Sequence, residues 1–230
     1  MPRRNVRRRS VPRRRRRIFK RKRRMAIQAR RIPTILAQTH VCKLKYSDFI
    51  SLNPGVTNIV SNRYRASSVR DPDATGLGAA PRGFAQLSAL YEDYTVLGSR
   101  IRVTFVSTNS ASTGEAWVGI FLDEQNIAHS QDTEGVFSRR ALSRAFMPPF
   151  GSGKSSAVVT ARMNTKRWFR TNPMTDVDCL AAVTTDPVKQ VFYHVWAGGT
   201  TASVDPSTIS ATVEIEYIVA FRSRRAANNP

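Results

Sequence analysis

Ile209-Ser210-Ala211-Thr212-Val213-Glu214-Ile215-Glu216-Tyr217-Ile218-Val219-Ala220-Phe221-Arg222 alternates apolar and polar side chains with a period of two. Successive side chains of an extended chain point to opposite sides, so this stretch reads as a long β-strand with one buried face. The polar side fails only at Ile218 and Ala220, which predicts that the second face is also covered there, by another subunit or by an arm. A second stretch of the same kind spans residues 95–107, with Ile101, Val103 and Phe105 on one side and Arg100, Arg102 and Thr104 on the other. Gly98, near its start, marks a bend or bulge.

Outward from these two, shorter strand-type runs occupy residues 35–46, 116–122, 157–163, 179–183 and 191–196, for a total of seven or eight strands. They do not alternate regularly with helices, so the expected fold is an all-β antiparallel sandwich and not a parallel α/β sheet. Two short helices are predicted, one on Phe84, Leu87, Leu90 and Tyr91, the other on Val136, Phe137, Ala141 and Leu142 after Thr133 and Glu134. Both are expected to cap an end of the sandwich. Residues 51–83 are rich in turn formers (Pro54, Gly55, Pro72, Gly76, Gly78, Pro81, Gly83) and read as one long polar loop, a length that usually serves contact or function. Subunit contact is the expected use.

Charge divides the chain at residue 31. Seventeen basic residues and no acidic one fall in residues 1–31: Arg3, Arg4, Arg7, Arg8, Arg9, Arg13, Arg14, Arg15, Arg16, Arg17, Lys20, Arg21, Lys22, Arg23, Arg24, Arg30 and Arg31. Residues 32–230 hold the other 20 basic side chains against all 16 acidic ones, so nearly all of the net charge of +21 belongs to the arm. Its few apolar residues cannot offset the entropy of ordering a self-repelling segment, which predicts an arm disordered until it binds polyanion. Fifteen of the seventeen are Arg, whose planar fork grips phosphate through two hydrogen bonds, so nucleic acid is the expected partner. The clusters Arg13, Arg14, Arg15, Arg16, Arg17 and Lys20, Arg21, Lys22, Arg23, Arg24 also fit a nuclear-import address. Two domains are thus expected: the basic arm of residues 1–31 and the sandwich of residues 32–230.

Other chemistries find little footing. No apolar run approaches the roughly 18 residues that would cross a membrane, and the basic start lacks the apolar core of a secretory signal, so a beginning in cytosol or nucleus is expected. Gly153-Lys154-Ser155 echoes the end of a phosphate-binding loop, but Pro148 stands where that motif needs its first Gly. His40, His129 and His194 are far apart, and His194 reads as a satisfied strand residue; no metal or cofactor is expected. Cys42 and Cys179 lack metal-type spacing and read as free thiols. No nucleophile with a recognisable local context appears, so an enzyme is not expected. Lys166-Arg167-Trp168-Phe169-Arg170, in contrast, sets two rings among three cations, a pattern that can stack a base while charges hold the backbone. The competing use of Trp168 or Phe169 is plain core packing.

Four segments resemble a known group. Leu90-Tyr91-Glu92-Asp93-Tyr94-Thr95-Val96-Leu97-Gly98-Ser99-Arg100-Ile101 is similar to the Tyr-x-x-Tyr-x-Val-x-Gly-Ser-Lys/Arg-Ile segment of capsid proteins from circovirus-like, Rep-encoding single-stranded DNA viruses. Asn164-Thr165-Lys166-Arg167-Trp168-Phe169 resembles a Ser/Thr-Lys-Lys-x-Phe-Gly segment of that group, with Arg170 where Gly is usual. Val191-Phe192-Tyr193-His194-Val195-Trp196 looks like the strand before the closing one, and residues 212–221 like the closing strand. The resemblance implies an eight-stranded antiparallel jelly-roll sandwich whose copies, about 60 in a T=1 icosahedral shell, self-assemble with their arms inward. It implies viral single-stranded DNA, further copies of the chain, host nuclear-import receptors and a host-cell receptor as partners, with the virion and the host nucleus as locations and no membrane insertion. A capsid protein of a small RNA virus, or a cellular nucleic-acid-binding protein with a basic tail, fits the same arm.

Overall fold

Nine strands form among the described residues of the structure, a computed structural model that describes residues 37–55, 59–76, 78–107, 114–127, 133–139, 141–149, 155–200 and 205–225. They are β1 (His40–Leu52), β2 (Ile59–Arg65), β3 (Tyr91–Ser107), β4 (Ala116–Asp123), β5 (Ser143–Met147), β6 (Ser156–Asn164), β7 (Leu180–Ala182), β8 (Phe192–Gly199) and β9 (Ile209–Arg224). Three short helices, α1 (Phe84–Leu90), α2 (Thr133–Phe137) and α3 (Thr165–Phe169), stand between them. The basic arm and its predicted sites, with His129 and Gly153-Lys154, lie outside the described residues.

The strands pair as nested antiparallel couples: β4 with β5, β3 with β6, β2 with β8, β1 with β9. Additional pairing of β3 with β9 and of β4 with β8 rolls this ribbon into two sheets, ordered β1-β9-β3-β6 and β2-β8-β4-β5, with the short β7 added to the side of β3. Nested couples rolled into two facing sheets are a jelly roll, and the all-β class and antiparallel pairing expected from the alternation are what the chain forms. Between the sheets, Ile101, Val103, Val213, Ile215 and Val219 meet Val118, Ile120, Tyr193 and Val195 in one apolar core. Gly98 sits at a register shift between β3 and β9, as its position implied. A Cβ there would lie 2.9 Å from the Met163 carbonyl oxygen, closer than side chains approach backbone.

Several expectations are corrected. The first strand is His40–Leu52, not residues 35–46, and residues 51–83 are not one loop, because they contain β2. β5 was not foreseen at all. α1 stops at Leu90, and Tyr91 opens β3. Phe84 of α1 does close an end of the core, edge-on to Tyr94 at 5.8 Å. α2 ends at Phe137, short of Ala141 and Leu142, and it caps no end: Val136 packs with Ile59, Phe121 and Trp196 on the outer side of the second sheet. That cover makes β8 buried along its whole length. Of the two positions expected to be covered, Ala220 is buried and Ile218 is 40% exposed in the single chain. Thr95, the β3 partner of Ala220, donates to the Cys179 carbonyl (2.9 Å), and Arg222 donates to the Met174 carbonyl (2.6 Å), so the segment before β7 lies over this end of the sheet.

Candidate nucleic-acid interface

The predicted cluster at residues 166–170 is held on α3, one turn following β6. Asn164 caps it, its side-chain oxygen accepting from the Arg167 N–H at 2.9 Å, which satisfies one of the free donors at a helix start. Buried Thr165 anchors the turn through its hydroxyl, which donates to the Val96 carbonyl on β3 at 2.6 Å. Arg170 ends it at φ 57, in the left-handed region. A side chain strains the backbone there and Gly does not, which explains why Gly would suit this position.

This geometry brings Arg167, Trp168 and Arg170 to one cleft of about 900 Å³, where they are joined by Arg162 and Asn164 from β6 and by Glu124 beyond the end of β4. Lys166 is exposed but does not line it. Trp168 is part core and part cleft. The ring is half-buried and packs on the main core, while another part lines the cleft, and its indole N–H donates to Glu124 Oε1 at 2.9 Å. Phe169 is half-buried against the same core. Arg162, Arg167 and Arg170 are exposed and form no ion pair among the described residues. Three guanidiniums without an ion pair, against the single carboxylate of Glu124, leave the cleft net positive beside an accessible indole, an arrangement that can hold phosphates and offer a base a stacking face. Arg162 and Glu124 were missed from the sequence. Arg162 was legible as a polar-side residue of the 157–163 alternation; nothing local marks Glu124, which folding alone brings to the ring.

The other candidates resolve as structure. His194 is fully buried, stacked on Phe121 at 4.6 Å, with Nε2 3.2 Å from the Gln125 carbonyl oxygen. Cys42 and Cys179 are unbridged, and burial pushes both thiols up, away from the thiolate that a nucleophile or metal ligand needs. Among the described residues no three His, Cys, Asp or Glu side chains are placed to share a metal ion.

No protein-family profile matches the chain. No curated protein is significantly similar to it in sequence. Solved structures are similar: that of Desmodium yellow mottle tymovirus, 14% identical over 86% of this chain and 95% of that chain with a TM-score of 0.42; the BFDV capsid protein as a 60-mer, 14% identical over 85% and 99% with a TM-score of 0.39; and the Macrobrachium rosenbergii nodavirus, 16% identical over 84% and 55% with a TM-score of 0.47. The likeness is one of fold.

Proposed function

We propose that this chain is the shell protein of a small icosahedral virus, and that it packages a single-stranded genome through its arm. The observation that carries the reading is the joining of two parts: a jelly roll whose strands bury their apolar faces within one chain, and an arm of seventeen cations and no acid. A sandwich of nearly balanced charge suits repeated contact between copies, and the arm suits a polyanion. About 60 copies would gather roughly 1,000 arm charges, enough to neutralise a comparable number of phosphates. Single-stranded DNA as cargo, import into the nucleus through Arg13 to Arg17 and Lys20 to Arg24, and a T=1 shell follow from the segment resemblance; arginine forks grip the phosphates of RNA equally well. The Trp168 cleft adds a contact on the body.

Electron microscopy of the purified protein, followed by nuclease digestion of what copurifies, tests this. Closed particles holding DNase-sensitive nucleic acid are expected. Particles with RNase-sensitive cargo would replace DNA by RNA, and a small non-assembling species at every salt concentration would overturn the shell reading.

A further inference from the structure

We infer that the outer face of the β1-β9-β3-β6 sheet is a second genome-contact surface, on which Arg102, Arg100 and Arg162 lead the phosphates of a single strand into the Trp168 cleft. This rests on the proposal that the chain packages nucleic acid, and it adds a body surface that the arm does not provide.

The strand register places the charges. On the outer face, Lys45, Glu216, Arg100 and Arg162 form one row across β1, β9, β3 and β6, and Glu214 and Arg102 stand side by side in the next. Both glutamates lie on β9: Glu216 between Lys45 and Arg100, Glu214 between Ser47 and Arg102. Glu216 accepts from the Lys43 ammonium at 2.9 Å, and this bond, with Lys45 and Arg100 nearby, holds its carboxyl below its ordinary value. Glu216 is therefore shared between β1 and Arg100, Glu214 faces Arg102, and on this sheet no acid stands between β3 and β6. There Arg100 directly faces Arg162, so their Cβ atoms are about 5 Å apart, and like charges in that arrangement repel.

Glu216 faces Arg100 from the β9 side, but Arg162 has no ion pair among the described residues and β6 is the last strand of its sheet, so no acid stands beside Arg162 in this row. An edge strand that keeps an Arg opposite an Arg has a site for an anion between two forks. Arg162 belongs also to the cleft, so Arg102, Arg100, Arg162, Arg167 and Arg170 form a path of five guanidiniums that ends at a half-exposed indole, where Glu124, bonded to the indole N–H, is the one carboxylate in the cleft lining. Forks spaced along a path and a stacking face at its end suit a flexible phosphodiester strand better than an acidic protein surface, which would have no use for the ring.

The test measures the salt dependence of binding of full-length protein to an oligodeoxythymidine and to an oligouridine. Each phosphate contact on a single strand contributes a slope of about 0.7 in log K against log salt. Arg162→Gln should lower the slope by about 0.7 and the triple variant Arg100→Gln, Arg102→Gln, Arg162→Gln by about 2, equally for both polymers. Modification of arginines by a dicarbonyl reagent, read by mass spectrometry, should show Arg100 and Arg162 protected by the oligonucleotide. Arg162→Gln lies on an exposed edge without an ion pair and keeps the assay meaningful should the triple variant not fold. An unchanged slope with Arg100 and Arg162 unprotected overturns the inference while leaving the packaging reading intact. Loss of assembly with unchanged slope also overturns it, by assigning the face to contact between copies. Failure of the unaltered protein to bind either polymer overturns both.

Discussion

Arg170 is the residue where conformation and chemistry conflict most openly. Its φ of 57 costs about 1 kcal/mol in an L-residue relative to Gly, and its guanidinium lines the cleft. Arg170→Gly should therefore raise the stability of the fold by about 1 kcal/mol in urea denaturation while lowering the salt slope of nucleic-acid binding by about 0.7. A stabilised variant with unchanged binding would show that the cation has no role. Trp168 gives the converse case. Because the ring is only partly buried, Trp168→Ala should cost about 2 kcal/mol, less than the 3 to 5 typical of a fully buried ring, and leave a folded protein that retains less nucleic acid at high salt. Insoluble Trp168→Ala protein would make the ring purely structural. The cluster was legible in sequence because five consecutive residues carried its chemistry. Its cleft was not, since Arg162 and Glu124 arrive through β6 and β4.

At the scale of elements, legibility followed the alternation of burial. β9 and β3 have one covered face over most of their length and declared themselves. In β2 only Ile59 and Tyr64 are buried and every residue between them is half-exposed, so period two never appears and the strand passed for loop. β5 is five residues long, with Phe146 and Arg144 turned outward to pack on Trp117, too little to read as a strand. The segment after β2 is fastened by polar contacts. Asp186 accepts from the Ser68 hydroxyl at 2.7 Å and pairs with Arg70 at 3.3 Å and Arg65 at 3.6 Å. Burial raises its carboxyl, but the Ser68 bond and the two guanidiniums outweigh that and hold it below its ordinary value. A depressed folded value means stability that is present at neutral pH and is lost as pH falls through that value. Asp71 has the opposite sign, since burial pushes it up despite Arg65 nearby, so its ionisation opposes folding at neutral pH and acid relieves it. Asp186→Asn should thus cost about 1 kcal/mol at pH 7, by taking the carboxylate from half-exposed Arg70 and leaving Arg65 with Asp71 alone, and the deficit should shrink below about pH 4. Urea denaturation at neutral and acid pH measures both; a deficit independent of pH would assign the cost to packing.

The division of charge governs the behaviour of the whole molecule. The arm holds 17 of the 37 basic residues and no acid, while residues 32–230 are close to neutral at +4, and the sandwich buries its apolar faces within residues 37–225. On the proposed reading, assembly sets two terms against each other: contact between sandwiches, which is indifferent to salt, and repulsion among roughly 1,000 arm charges confined together. Full-length protein freed of nucleic acid should therefore assemble poorly at low salt and better as salt screens the arms, since the screening length drops from about 30 Å at 0.01 M to about 3 Å at 1 M. Added single strands should replace the need for salt. Protein lacking residues 1–31 has lost the opposing term and should form empty shells at low and high salt alike, with the steep salt dependence of nucleic-acid binding removed along with the arm. Sedimentation and electron microscopy across a salt series distinguish the cases. A truncated protein that is folded yet monomeric at every concentration would place the drive for assembly in the arm and its cargo, and the sandwich would then be a partner in closure and not its cause.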